Sequence, residues 1–271
     1  MKESGARFAG RGKGNGYMEA LDMGTISLLL GAGFFSAFID SAVGGGGLIS
    51  LPAMMLAGLP PVFALGSNKA ASIMGSFTSS LSFFRSGKID FSVVRYLFPL
   101  SFLGSALGVY TVRLVPPDFL KPMVVVLLIL VTVYSLLKKN WGEAAKRAPL
   151  SQKRRWTAMG LAFFFGFYDG FFGPGTGSFL LFGFLCLGFD FVGAAANARV
   201  LNFGSNISAA LFFTSLGYVD FAYALPMGGG MILGALCGTR MAISKGTRYV
   251  KPLFISMTAL LIGKQLWDLL R

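Results

Sequence analysis

Histidine is absent from these 271 residues, and cysteine occurs only twice, at Cys186 and Cys237. Without imidazole there is no Ser-His-Asp triad, no histidine metal ligand and no histidine proton relay. The two cysteines make no CxxC pair and no disulfide framework. Both sit in apolar runs and read as buried, reduced thiols. No nucleophile-and-base set and no metal cluster is visible, so neither an enzyme nor a cofactor is expected. Charge is scarce too. Only 13% of residues are Asp, Glu, Lys or Arg, where soluble domains carry about 25%. The net charge of +13 does not point to nucleic acid. The bases lie mostly between apolar runs, where a bilayer protein keeps its cytoplasmic Lys and Arg.

Apolar residues make up the rest. The chain is 54% hydrophobic with 28 Phe and 37 Gly, and its mean hydropathy is +0.68. Several runs reach the roughly 20 residues that cross a bilayer. The fold class expected is an all-α, polytopic integral membrane protein. Residues 1–22 are Gly-rich and polar and lack the apolar core of a signal peptide. They read as a flexible tail, with Met18 or Met23 as alternative starts. Apolar segments follow at about 24–43, 48–57, 64–86, 92–112 and 119–137. A basic linker covers 138–155, which holds a single acid, Glu143. Further segments lie at about 156–172, 177–187, 193–216, 222–239 and 252–268.

The two halves, 23–137 and 156–271, resemble one another. Asp40, Gly44, Gly46 and Leu51 align with Asp169, Gly173, Gly175 and Leu180. After a one-residue insertion, Gly58, Gly87, Asp90, Gly104 and Gly108 align with Gly188, Gly217, Asp220, Gly234 and Gly238. Chance aligns apolar letters, but seldom Asp, Gly and turn positions over about a hundred residues. The chain reads as two internal repeats, a mark of transporters.

Each half also breaks a long apolar helix: "DSAVGGGG" in the first and "DGFFGPGTGS" in the second. A segment of about ten residues follows, too short to cross at 1.5 Å per residue. Backbone opened inside a bilayer is tolerated only where protein buries it or a polar cavity receives it. Each break gives its short helix a fresh N-terminus with unpaired N–H groups, suited to an anion. Gly44, Gly45, Gly46 and Gly47, with Gly173, Gly175, Thr176 and Ser178, are therefore candidate substrate-binding residues. Isolated glycines such as Gly104 and Gly234 read instead as helix-packing positions.

The third segment of each half opens with a polar stripe. Lys69 aligns with Arg199, Ser72 with Asn202 and Ser76 with Asn206. Spacings of three and four put each set on one helix face. A cation near the membrane centre costs about 2.5–3.5 kcal/mol on insertion scales, so it must face protein or a cavity. Asn68, Lys69, Arg199, Asn202 and Asn206 join the candidate anion site. The bland alternatives are ion pairs between these cations and Asp40 or Asp169, or snorkelling to the interface. The two aspartates are assigned a coupling or structural role.

"GGGGLISLPAMMLAGLPPVFALGSNKAAS", "GFYDGFFGPGTGSFL" and "NARVLNFGSNISAALFF" together resemble the sulfite exporter TauE/SafE family, in its YfcA-like branch. The resemblance covers about residues 24–268, and Ser67 stands where a threonine is expected. It implies a multi-pass permease of the bacterial inner membrane, with about eight spans. It also implies a small, sometimes sulfur-containing anion such as sulfite or a sulfonate as cargo. The expected partners are that anion and the lipid bilayer, with a homo-oligomer left open. Two alternatives stand beside it. One is an ion-coupled carrier of another small polar solute; the other is a non-transporting membrane anchor subunit. The repeats are parallel if each broken pair counts as one span and inverted otherwise. The basic stretch "RMAISKGTRYVK" is cytoplasmic only in the inverted arrangement, which is preferred.

Overall fold

The computed structural model describes residues 21–111, 151–253 and 255–256. Among them every regular element is a helix: α1 (Met23–Val43), α2 (Gly47–Leu56), α3 (Pro61–Arg85), α4 (Phe91–Thr111), α5 (Gln152–Phe171), α6 (Thr176–Cys186), α7 (Phe191–Ser215) and α8 (Phe221–Lys245). A further helical stretch begins at 247. Most of the tail, the segment expected at 119–137, most of the basic linker and the end of the chain lie outside the described residues.

The helix ends follow local chemistry. Asp22, Asp190 and Asp220 cap α1, α7 and α8, each accepting a backbone N–H of the first turn. Thr25 donates both its hydroxyl and its N–H to Asp22, which holds that exposed carboxyl below its usual range. Pro61 opens α3, where its missing N–H costs nothing. Some boundaries differ from the sequence reading. Helix α5 takes in Lys153, Arg154 and Arg155, and α8 runs six residues past 239 to Lys245. Basic side chains near a membrane surface can extend a helix that hydropathy alone cuts short.

This is an all-α, polytopic integral membrane protein. Helices α1, α4 and α8 are long and apolar enough to cross a bilayer. Helices α3 and α7, each of 25 residues, are about 37 Å long but carry the polar stripes. Large apolar side chains such as Leu233, Phe35 and Leu211 are more than half exposed, as befits a lipid-facing surface. The cysteines correct the sequence reading: neither is in a disulfide, but both are exposed rather than buried. In a bilayer an apolar position can face lipid as well as protein, so hydropathy does not separate the two.

Contact order gives the helix directions. Gly230, Gly234 and Gly238 of α8 lie against the backbone oxygens of Leu30, Phe34 and Phe38, so α1 and α8 run parallel. Gly104 and Gly108 of α4 meet the oxygens of Phe163 and Phe167 in the same sense, so α4 and α5 are parallel. Ser101 and Ser105 donate to Leu201 O and Ser205 O at 3.0 and 2.7 Å, making α4 parallel to α7. Ser67 accepts from Asp220 N, and Ser79 from Thr239, making α3 parallel to α8. At the centre, Gly66 meets Phe213 while Phe77 packs on Phe203, so α3 and α7 are antiparallel. Hence α1, α3 and α8 point one way, and α4, α5 and α7 the other. Corresponding helices of the two halves have opposite directions.

The contacts are also reciprocal. Asp220 N–H donates to Ser67, and Asp90 N–H to Asn197, at 2.8 and 2.9 Å; the four residues are two aligned pairs. Gly104 and Gly234 pack as expected: a Cβ at either would strike a backbone oxygen of the other half.

Candidate functional site

The two helix breaks meet. Val43 ends α1 and Gly47 begins α2; Phe171 ends α5 and Thr176 begins α6. Ser178 Oγ donates to Val43 O across this junction at 2.9 Å. Gly44, at φ +82°, lies on the backbone of Gly177 and Ser178, so closely that a Cβ would overlap both. Only glycine combines that conformation with that approach. Each break is pinned from its own half. Gly46 O accepts from Ser36 Oγ at 2.8 Å and from Ser50 Oγ at 3.2 Å. Tyr168 donates its hydroxyl to Pro174 O, and Thr176 donates its hydroxyl to Gly173 O, both at 2.7 Å. Tyr168 was not singled out in the sequence, where an aromatic in an apolar run looks like core.

The breaks leave donors unspent. Among the described residues the N–H groups of Gly45, Gly175 and Gly177 have no hydrogen-bond partner. All three glycines line a small cavity of about 30 Å³ at the junction, room for roughly two or three water-sized groups. Gly47, Gly173 and Thr176 line it too, with Asn68, Lys69 and Ser72 from α3 and Asn202 and Asn206 from α7. Asp40 and Asp169 complete the wall. Of the candidates from sequence, Gly44, Gly46, Ser178 and Arg199 stand just behind the lining. Ser72 and Gly177, outside the candidate set, belong to it.

The charges are paired across the halves. Lys69 Nζ lies 2.6 Å from Asp169 Oδ1, and Arg199 pairs with Asp40 Oδ2. The cations are therefore buried ion-pair members and do not snorkel. Lys69 and Asp169 side chains are 4% and 2% exposed; Arg199 is 2% and Asp40 25% exposed. Taking charges out of water costs several kcal/mol per ion, so such pairs persist only with good geometry and further hydrogen bonds. The polar stripe supplies some. Lys69 Nζ reaches Asn206 Oδ1 at 3.5 Å, Arg199 reaches Asn202 Oδ1 at 3.4 Å, and Asn206 Nδ2 reaches Ser76 Oγ at 3.4 Å. Asp40 Oδ1 accepts the Gly46 N–H at 3.0 Å. Among the described residues no cluster of His, Cys, Asp and Glu is suited to a metal ion.

Sequence comparisons place the chain among membrane transporters. A family model described as sulfite exporter TauE/SafE matches residues 29–264. The chain is 39% identical over 256 residues to a protein named probable membrane transporter protein ORF9 from Sinorhizobium sp, covering 93% of this chain and 96% of that one. It is 37% identical to the probable membrane transporter protein YfcA of Escherichia coli (strain K12), covering 89% and 91%. It is 35% identical to a probable membrane transporter protein of Haemophilus influenzae, covering 90% and 95%. No solved structure matches. With a family match over most of its length and relatives well above 30% identity, the chain belongs to the sulfite exporter TauE/SafE family of membrane transporters.

Proposed function

We propose that the protein is a permease that moves a small anion across the bacterial inner membrane, and that the cavity between the two breaks is its substrate site. One observation carries this reading. Two short helices present free N–H groups of Gly45, Gly175 and Gly177 to a cavity flanked by Lys69 and Arg199. Helix N-termini and cations together suit an anion. The family description names sulfite, so sulfite and sulfonates are the first cargo to try. The two halves act as inverted repeats around this site, and alternating access by such repeats fits their opposed helix directions.

Orientation follows from the bases. Arg85, Lys88, Arg95, Lys153, Arg154, Arg155, Arg240, Lys245, Arg248 and Lys251 all belong to the end where α3 and α8 finish and α4 and α5 begin. Among the described residues the opposite end has no Lys or Arg. We assign the basic end to the cytoplasm.

The test is flux. Purified protein in liposomes should take up labelled sulfite, taurine or sulfate faster than empty liposomes, and Lys69→Gln should abolish the difference. Uptake of none of them, by protein shown to be folded, would overturn the anion reading. A second reading, an ion-coupled carrier of another polar solute, is favoured by the neutralisation of both cations by aspartates. It predicts a solute-driven proton or sodium flux with no anion dependence.

A further inference from the structure

Two buried oxygens on residues that line this cavity have no partner, and both are acceptors. Asp169 Oδ1 holds Lys69, but Asp169 Oδ2 has no hydrogen-bond partner. Asn68 Oδ1, on the residue before Lys69, is likewise unsatisfied. Both residues line the cavity. A buried acceptor left unmade is costly, and an anion cannot repair it. Asp40, aligned with Asp169, differs: its Oδ2 takes Arg199 and its Oδ1 takes the Gly46 N–H. Charge tells the same story. Lys69, Arg199, Asp40 and Asp169 sum to zero, so a lone anion would leave the loaded site at −1 deep in the membrane, where charge is expensive.

Resting on the anion reading above, we infer that Asp169 is the proton site of this cavity and that an anion is bound together with a proton. A hydronium ion from the solvent delivers the proton: one of its O–H bonds breaks, water leaves, and an O–H bond forms at Asp169 Oδ2. The carboxyl becomes neutral, and Lys69 keeps its charge. The ammonium is then released from its ion pair and takes the anion in its place. The loaded cavity is again neutral. The new O–H is a donor in the wall that also holds the Asn68 acceptor. Asp169 is faced by Lys69 from α3 and, beyond Gly177, by Arg199 of α7 paired with Asp40 of α1. On its own helix, Tyr168 spends its hydroxyl on Pro174 O. Helix α4 brings Ser105 against Gly170 and, beyond Gly108, the exposed Tyr110 near this level, and α6 brings Thr176; Arg95 and Tyr96 of α4 and Cys186 of α6 stand toward the helix ends. The competing solution to the same charge balance is a zwitterion, whose ammonium would donate to Asp169 Oδ2 with no proton taken up.

Calorimetry on the purified full chain separates them. Methanesulfonate, a monoanion, and taurine, a zwitterion, are titrated at several pH values, each in two buffers of different ionisation heat. We expect methanesulfonate to bind with uptake of about one proton, and to bind roughly tenfold tighter per pH unit of acidification across the working range. Asp169→Asn should bind it with no proton uptake and no pH slope, while Asp169→Glu should restore both. Binding without proton uptake by the unmodified protein, unchanged uptake in Asp169→Asn, or binding of taurine alone would overturn the inference. If neither probe binds, the anion reading fails separately, and infrared difference spectroscopy still decides the proton site. A protonated-carboxyl band that appears on acidification and is missing in Asp169→Asn supports it; no such band overturns it.

Discussion

Asp169 holds Lys69 from the other half of the chain at 2.6 Å, with both side chains buried. Its counterpart, Asp40 with Arg199, crosses the halves in the opposite sense and is partly open on the aspartate side. The two pairs thus tie α3 to α5 and α7 to α1, through the same cavity that the helix breaks expose.

This asymmetry predicts unequal mutants. Lys69→Met leaves a buried carboxylate with no donor, and breaking a buried pair in this way costs about 3–5 kcal/mol. Arg199→Met leaves Asp40 a quarter exposed and still bonded to Gly46 N–H, so its loss should be smaller. Replacing both partners, Lys69→Met with Asp169→Leu, should recover much of the stability while binding stays lost. Melting temperatures with and without sulfite, on the unmodified protein and these three variants, check both statements. Equal losses in the two single mutants would remove the asymmetry.

Glycine substitutions test the junction of the breaks. At Gly44 a methyl group would overlap the backbone of Gly177 and Ser178, and φ is +82°. Gly58 has φ +101° but open space around it. Gly58→Ala should therefore cost only the backbone strain, of order 1–3 kcal/mol, and Gly44→Ala distinctly more. Gly160→Ala, in a helix with nothing nearby, should be neutral or slightly stabilising. Thermal unfolding in detergent ranks the three. If Gly44→Ala is as mild as Gly58→Ala, the halves do not touch there.

Much of this was legible beforehand, for physical reasons. Gly, Pro and Asp punctuate the apolar runs, so most helix ends fell within a few residues of expectation, and the clustered glycines marked the breaks. Pairing was not legible. The stripe at 69, 72 and 76 shows which face is polar, yet no spacing within one half can say that Lys69 meets Asp169 rather than Asp40. Ser101 and Ser105 illustrate the same limit. A serine inside a membrane helix usually bonds its own preceding turn, but these two reach α7, and only the packed fold reveals it. Free N–H groups at the breaks were foreseeable as a class, whereas the ones left free at Gly45, Gly175 and Gly177 depend on which donors the loops consume.

Glycines inside the paired helices give another contrast. Gly234 presses on Phe34 O of α1, while Gly229, on the same helix, meets only the Leu30 Cδ2 methyl at 3.7 Å. Backbone cannot give way, and a methyl can. Gly234→Ala should force α1 and α8 apart and lower the melting temperature by several degrees, and Gly229→Ala should not. A similar drop in both would mean that the helices pack loosely.

The last prediction concerns sidedness. The bases gather at one end of the helices, the end proposed above as cytoplasmic on the positive-inside tendency. The stretch 240–251, read from sequence as a loop, is largely helical: α8 continues to Lys245, Gly246 turns at φ +62°, and helix resumes at 247. Its bases therefore project from a helix end at the membrane surface, a favourable place for cations beside the negative end of the dipole. Ser215 is exposed at the other end, where α7 finishes. In a background lacking Cys186 and Cys237, a cysteine at Thr247 should be shielded from an impermeant thiol reagent in intact cells and label only after lysis. A cysteine at Ser215 should label in intact cells. The reverse pattern would turn the molecule over in the membrane. Labelling of both from outside would contradict the opposed helix directions themselves, because α7 and α8 would then place those two residues on one side.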